Sequence, residues 1–329
     1  WPRHSAAPRP RPADRPGPSC LVARMVLRRG PSFSHGIEVK QGRKPTKLVK
    51  KAAKPKGAKA AGAAGAAAGT PFVGFPRPTP ADVVALHRHL AGIFGERRPT
   101  QRRQRRDILG TVVGTILSQN TTNTNSHAAF AKLREKFSSW DRVRVAKPAA
   151  VEEAIRSGGL APKKTKWIQH ICRTLYEERG QTSLEYLRNE SKEGVHEQLE
   201  RFTGVGKKTV AIINLFDVGH PDMAVDTHVF RYAEQLGWVP SAKERAAHNA
   251  KAKFAKERWP VVTRDTAYAH LDALFPDKLK YSMHLILTDT EGGLPTTCTA
   301  RDTLSFDGRT AFVNGLPVRE AAREKGVSK

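Results

Sequence analysis

Lys208 and Asp226, eighteen residues apart, are the two side chains whose surroundings favour covalent chemistry. Lys208 follows the run Thr203-Gly204-Val205-Gly206, where an apolar helix is expected to begin. A lysine amine becomes a nucleophile only after it loses a proton, which desolvation and a neighbouring cation such as Lys207 both favour. Asp226 precedes another expected helix, and its carboxylate could stabilise a positively charged sugar, as carboxylates do in glycoside hydrolysis. The pair therefore predicts attack on a sugar carbon.

The glycine run itself predicts a phosphate-binding hairpin between two helices. Two glycines one residue apart allow positive φ angles and a close approach of the backbone. The first amides of the following helix, together with its dipole, favour a phosphate at that point. The expected contacts come from the hairpin and the start of the helix: Gly204, Val205, Gly206, Lys207 and Thr209. Structural alternatives stay open, namely a plain glycine turn, an N-cap role for Asp226 and a simple phosphate contact for Lys208.

Charge and composition limit the classes of protein that this chain can belong to. Its 329 residues carry 57 Lys and Arg against 31 Asp and Glu, a net charge of +26. Such a charge favours a polyanionic partner, with nucleic acid first and an anionic membrane surface second. The longest apolar stretch, Ile108 to Leu117, is too short to span a bilayer. Three cysteines are too few for a disulfide framework or a four-cysteine metal site.

The first 80 residues differ from the rest of the chain. They hold 17 Lys and Arg against 2 acidic residues, and 13 of the 22 prolines. The stretch from Lys44 to Gly69 is rich in Lys, Ala and Pro and has almost no large apolar residues, which predicts disorder. We expect a DNA-tethering arm or a nuclear-localisation segment. An organelle transit peptide and mistranslated upstream sequence remain alternatives. The sequence opens on Trp1, as a fragment or an imperfect gene model would, and Met25 is a candidate start.

From about residue 81 the apolar residues recur at helical spacing, and strand-like alternation is nearly absent. This predicts an all-α protein of about ten helices without an internal repeat. One of them is expected to run without interruption from Ala242 to Arg258. Residues 291–329 are mixed in composition and rich in glycine and threonine, so we expect them to form a poorly ordered tail.

Three motifs resemble the helix-hairpin-helix (HhH-GPD) endonuclease III superfamily of DNA glycosylases. The strongest covers residues 199–240, with its Gly-Val-Gly-x-Lys-Thr hairpin and its Val-Asp-Thr-His-x-Phe-Arg element. The others are Ile116–Thr122, followed by Asn125-Ser126 and Ala129-Phe130, and Gly158–Lys164. The last two are most similar to a plant and fungal branch. The resemblance extends over residues 76–287.

The resemblance implies a role for several residues. It makes Lys208 the Schiff-base nucleophile of a bifunctional glycosylase and AP lyase, and Asp226 the essential carboxylate. Gln119 and Asn120 are then the side chains that fill the base stack when a nucleotide flips out, with interhelix hydrogen bonds as their alternative. Lys163 and Lys164 are either phosphate contacts or solvated charges. Relatives without the lysine use water and only remove the base.

The chain departs from the superfamily at two places. Phe202-Thr203 stands where Leu-Pro is usual, which the hairpin should tolerate. Many members hold an iron–sulfur cluster on four cysteines near their C-terminus, but here Cys298 is the only cysteine in that region. We therefore expect no cluster, no other metal and no cofactor.

These observations predict a two-lobed, all-α HhH-GPD glycosylase fold. We expect a disordered tail over residues 1–77, a helical barrel lobe over 107–220 that ends in the hairpin, and a second lobe over 78–106 and 221–290. The expected function is base-excision repair of double-stranded DNA with damaged or mismatched bases, by a nuclear monomer with no membrane partner. A mitochondrial or plastid location, a water-using glycosylase and a catalytically silent DNA-binding or chromatin protein remain alternatives.

Overall fold

The computed structural model describes residues 69–99, 106–289 and 292–327. Most of the basic tail predicted for residues 1–77 lies outside the described residues, as does the run from residue 100 to 105. The described part is mostly helical, which confirms the all-α prediction. None of its helices is long and apolar enough to cross a membrane.

Fourteen α-helices make up the described part of the chain. The first eight are α1 (Pro80–Phe94), α2 (Ile108–Ser118), α3 (Asn123–Lys136), α4 (Trp140–Val145), α5 (Pro148–Ala154), α6 (Ala161–Arg179), α7 (Lys192–Glu200) and α8 (Lys207–Ile213). The others are α9 (Thr227–Gln235), α10 (Ala242–Lys251), α11 (Arg264–Leu274), α12 (Asp277–Thr288), α13 (Leu294–Thr297) and α14 (Val318–Glu324). Short 3₁₀ turns cover Arg156–Gly158, Glu185–Asn189 and Ala255–Glu257, and α8 continues as a π-helical turn over Asn214–Val218.

Serine and threonine side chains begin many of these helices. Thr79 accepts a hydrogen bond from the Asp82 amide and forms a capping box with it at the start of α1. Ser241 and Glu244 do the same for α10. Each box satisfies amides that have no partner inside the helix, which fixes the residue at which the helix begins.

Buried apolar residues form two separate clusters. The hairpin cluster draws on α2 to α8 and includes Ile108, Val112, Leu133, Ile168 and Val210. The terminal cluster draws on α1, on α9, on α11 to α14 and on the C-terminal strands. Helix α2 is apolar on almost every face because it lies inside the hairpin cluster, where six of its apolar side chains are fully buried. The lobe boundaries given above remain a prediction.

The C-terminal segment is folded over residues 292–327, so the expectation of a poorly ordered tail is wrong there. Three short strands, Leu304–Phe306, Ala311–Val313 and Leu316–Pro317, form an antiparallel sheet in the order β1-β2-β3. Asn314 and Gly315, with φ angles of 52° and 84°, make the tight turn between β2 and β3. The pair Asn-Gly strongly indicates a β-hairpin, and the prediction of an all-helical chain overlooked it. Side chains from the strands and α14 enter the terminal cluster, which accounts for their order.

The helix predicted over Ala242–Arg258 ends early, at Lys251. The Asn249 side chain binds the backbone of Trp259, donating to its carbonyl oxygen over 3.0 Å and accepting from its amide over 2.7 Å. These bonds turn the chain back after α10, and a continuous helix would carry Trp259 out of their reach. No residue of α10 is buried, so packing does not extend it either.

Candidate active site

The glycine-rich hairpin joins α7 to α8 and packs against α6. Gly204 has a φ angle of +93°, and a Cβ atom there would come within 2.6 Å of the Trp167 ring. Only glycine therefore fits at this position, both for its backbone angle and for the space. Gly206 is the N-cap of α8 with extended backbone and has open space around it.

The hairpin leaves three consecutive amides in front of the first helical hydrogen bond. The Thr209 amide donates to the Gly206 carbonyl over 2.8 Å, so the amides of Gly206, Lys207 and Lys208 precede it. The Val205 amide is already used, because it donates to the Phe202 carbonyl over 3.0 Å. The side chains of Val205 and Thr209 are buried. The prediction that Val205 and Thr209 contact DNA is therefore wrong.

Lys208 is exposed and lines an open cavity of about 360 Å³ between the hairpin and the start of α11. The cavity is lined by Gly206, Lys207, Lys208, Val225, Thr263, Arg264, Asp265 and Tyr268. No carboxylate of the described residues lies within ion-pair distance of the Lys208 amine. The amine at the second position of α8 is thus open to an incoming molecule.

Asp226 is the N-cap of α9, which is the structural role given above as the alternative to a catalytic one. Its Oδ1 atom accepts a hydrogen bond of 2.8 Å from the Val229 amide. Among the described residues no donor is bonded to the second carboxylate oxygen. Val225, directly before it, lines the same cavity as Lys208. Asp226 itself does not line the cavity but directly follows a residue that does, and one oxygen of its half-buried carboxylate remains for another partner.

The loop after α2 reaches the hairpin through Gln119. The Gln119 side-chain amide donates to the Gly204 carbonyl over 2.8 Å, which is the structural alternative given for this residue. Asn120 is exposed and has a φ angle of 53°. Asn120 is therefore the freer of the two residues expected to enter the base stack.

Lys164 is fully buried, so the prediction that it contacts DNA is wrong. Its ammonium donates to three carbonyl oxygens, those of Leu117 at 2.8 Å, Gln119 at 2.7 Å and Gly158 at 2.8 Å. It thereby holds the loop after α2 against the turn before α6. Burial lowers the pKa of Lys164. Its neighbour Lys163 is exposed, with its amine 4.9 Å from the centre of the Trp167 ring.

The structure adds a residue that the sequence reasoning missed. Leu160 is 50% exposed and has a φ angle of 52°, unusual for a large apolar residue. It lies in the turn that Lys164 joins to the loop of Asn120. The signal available in the sequence was an apolar residue directly after Gly158-Gly159, where a helix start normally carries a polar cap.

A buried polar network lies behind the cavity wall formed by Tyr268. The fully buried Asp222 accepts hydrogen bonds from Tyr268 Oη at 2.8 Å, His196 Nε2 at 2.7 Å and Asn214 Nδ2 at 2.8 Å. Burial lowers the pKa of His196, but its bonds to Asp222 and Glu200 outweigh burial and raise that pKa overall. Burial raises the pKa of Asp222, but the hydrogen bonds that it accepts outweigh burial and lower this pKa overall.

The same network crosses between the two clusters. Lys192, on α7, donates to Asp272 on α11 over 2.6 Å, and Lys280 on α12 donates to the other oxygen of Asp272 over 2.8 Å. Asp272 also accepts from the Met223 amide over 2.8 Å, just before the segment that carries Asp226. Charge-assisted hydrogen bonds therefore connect the two clusters next to the segment that carries Asp226.

The residues near the C-terminus do not fit an iron–sulfur cluster. Cys298 is the one cysteine of that region, and its buried side chain belongs to the terminal cluster. Its carbonyl accepts from Tyr232 Oη and from the Arg231 guanidinium, each over 3.1 Å. Cys172 is likewise buried, inside the hairpin cluster. In the described part of the chain no group of three His, Cys, Asp or Glu could hold a metal ion.

Comparison with known proteins places the chain in a family. The family described as "HhH-GPD superfamily base excision DNA repair protein" matches residues 113–257. The chain is 41% identical to the Arabidopsis thaliana protein named "Putative DNA glycosylase At3g47830" over 191 residues, 58% of each chain. It is 31% identical to Endonuclease III of Thermotoga maritima over 151 residues, 46% of this chain and 67% of the relative.

Among solved structures, a non-covalent complex of endonuclease III with DNA is similar, with 21% identity and a TM-score of 0.47 over 63% of this chain and 83% of that one. The aligned region spans less than two thirds of the Arabidopsis protein. The match over the hairpin and the Asp226 element, together with the identity to the Thermotoga protein, shows the family. This chain belongs to the HhH-GPD superfamily of base excision DNA repair proteins.

Proposed function

We propose that this protein is a base-excision DNA glycosylase that also cleaves abasic sites through a Schiff base on Lys208. The observation that carries the proposal is the exposed Lys208 amine, free of any described ion pair, in a cavity that also includes the residue before Asp226. A relative at 31% identity is named Endonuclease III, and another at 36% identity over 118 residues is named DNA glycosylase/AP lyase ROS1.

In this proposal Lys208 attacks C1′ of the flipped nucleotide. The new N–C1′ bond forms as the glycosidic bond breaks, and the base leaves with the bonding pair and takes up a proton. Ring opening gives the imine, and loss of a C2′ proton expels the 3′ phosphate. Asp226 stabilises the positive charge that develops on the sugar.

The proposal gives the DNA two points of attachment beside the cavity. The amides of Gly206 and Lys207 at the start of α8 bind a backbone phosphate. Asn120 and Leu160 project from two loops that Lys164 joins, and they enter the space that the flipped base leaves. Unstacking a base costs a few kcal/mol, and an inserted side chain offsets part of this cost.

Borohydride trapping on a duplex with one abasic site tests the chemistry. Reduction fixes a Schiff base covalently, so the wild type and Lys207→Ala should give a protein–DNA adduct and Lys208→Ala should not. Asp226→Asn keeps an N-cap of similar strength, so its loss of activity can be attributed to the carboxylate. No adduct from a wild type that still binds the duplex would refute the lyase. Base release without the adduct would then indicate a water-using enzyme, and no base release would indicate a silent DNA-binding protein.

We also propose a nuclear location, supported by the basic composition of residues 1–77. A fluorescent fusion of the full chain should accumulate in the nucleus, and replacing the lysines between Lys44 and Lys59 by glutamine should disperse it. Accumulation in mitochondria or plastids instead would refute this location.

A further inference from the structure

Residues 241–258, here called the basic arm, form an ordered segment that buries almost nothing. The arm consists of α10 and the 3₁₀ turn Ala255–Glu257, and none of the ten residues of α10 is buried. Ordering a segment costs conformational entropy that burial normally offsets. Packing alone therefore does not explain why the arm is ordered.

The arm is held at its base by specific contacts. The His248 ring stacks on Trp259, with 3.8 Å between centroids and 5° between planes. Asn249 binds both backbone groups of Trp259, and Trp259 itself is buried against Phe75. Arg77 donates to Glu244 over 2.5 Å. The free protein therefore presents the arm in a fixed position, which reduces the entropy that a partner would have to remove.

The arm carries six basic side chains, one of which, Lys256, lies with its amine 5.9 Å from the centre of the Phe254 ring. None of them lies within ion-pair distance of a carboxylate in the described part of the chain. Its two acidic residues are engaged elsewhere, Glu244 with Arg77 and Glu257 with the backbone amides of Lys253 and Phe254. Phe254, 61% exposed, stands among the lysines. The six side chains are Lys243, Arg245, Lys251, Lys253, Lys256 and Arg258.

The arm leads directly to the cavity of Lys208. Thr263, in the cavity lining, is five positions after Arg258, the last residue of the arm, a distance of at most about 18 Å for extended chain. Base pairs of duplex DNA are spaced about 3.4 Å apart along the axis. The end of the arm therefore lies within about five base pairs of a nucleotide held in the cavity.

We infer that the basic arm binds backbone phosphates of duplex DNA beside the target nucleotide, as a contact separate from the hairpin. This inference rests on the proposed function, since it takes the DNA to lie over the cavity. The arm lysines neutralise phosphates and release their counterions, and Phe254 covers the apolar face of a sugar between them.

The salt dependence of DNA binding by the full chain tests the inference. The arm variant is Lys251→Gln/Lys253→Gln/Lys256→Gln. The control, Lys132→Gln/Arg142→Gln/Lys147→Gln, removes three exposed and unpaired charges from α3, α4 and the start of α5. The probe is a duplex with one tetrahydrofuran abasic-site analogue, which cannot form a Schiff base. The slope of log K against log salt should become shallower by about 2 to 3 in the arm variant, at about 0.9 per lost phosphate contact, and change little in the control.

A neutral phosphate analogue locates the contact. Methylphosphonates placed one at a time along the duplex beside the analogue should include positions that weaken binding by the wild type more than binding by the arm variant. Equal slopes in the arm variant and the wild type, or equal losses in the arm variant and the control, would overturn the inference. Because the probe reports binding alone, trapping through Lys208 can succeed or fail independently of it.

Discussion

Replacing Lys164 by methionine tests whether this lysine supports the DNA-facing loops from within the fold. Methionine is similar in length and keeps the apolar contacts of the side chain, but it donates no hydrogen bond. The carbonyls of Leu117, Gln119 and Gly158 would then lose their donor. The two loops that they belong to carry Asn120 and Leu160.

The expected loss of stability follows from the three bonds. Each carbonyl left without a donor costs about 1–3 kcal/mol, while the variant no longer has to bury an ammonium whose pKa is already lowered by burial. We expect the free energy of unfolding to fall by about 2–5 kcal/mol, a large share of the 5–15 kcal/mol that is typical of folded proteins. At about 2–4 °C per kcal/mol, the midpoint of thermal unfolding should fall by roughly 5–20 °C.

Urea unfolding of Lys164→Met is best compared with that of Lys163→Met. Both changes remove one positive charge from the start of α6, but Lys163 is exposed and should be nearly neutral for stability. A difference of less than about 1 kcal/mol between the two variants would refute the reasoning. A Lys164→Met protein of normal stability with a shallower salt dependence of DNA binding would support the DNA contact expected from the sequence.

Two further predictions concern the network and the hairpin. The pKa of His196 is raised above its ordinary value of 6.5, so its stabilising contribution is complete below pH 6.5 and is lost as the pH rises through the raised value. His196→Gln should therefore be destabilising at low pH and lose less stability than the wild type on going to alkaline pH, as unfolding at a series of pH values would measure; parallel profiles would contradict this. Gly204→Ala should cost about 2–4 kcal/mol, because of its positive φ and the Trp167 ring 2.6 Å from the new Cβ. Gly206→Ala should cost less, since nothing lies within 4 Å there and only the preference for glycine at the N-cap is lost, and equal melting temperatures would count against the close packing of Gly204.

The parts of the site that the sequence predicted correctly depend on local patterns. The hairpin flanked by helices follows from two glycines between apolar runs, and the place of Lys208 at a helix start follows from the apolar run after it. The N-cap role of Asp226 was foreseen as an alternative for the same reason. Each of these features is decided by residues within a few positions of one another.

The parts that the sequence did not predict depend on contacts between distant segments. Lys163 and Lys164 are adjacent and chemically alike, yet only Lys164 meets carbonyls from residue 117, 47 positions away. The burial of Thr209 likewise depends on packing inside the cluster that α8 joins. The early end of α10 depends on Asn249 meeting Trp259 ten residues later. The spacing of apolar residues along a helix does not indicate which distant segments come into contact.

The two cysteines of the described part have a consequence for the conditions in which the protein could act. Burial raises the pKa of Cys172 to about 12, and it raises the pKa of Cys298 as well. Peroxide attacks the thiolate rather than the thiol, and it needs access to the sulfur. Both sulfurs are therefore poor targets for oxidation. We expect both thiols to stay unmodified at peroxide concentrations that oxidise exposed cysteines.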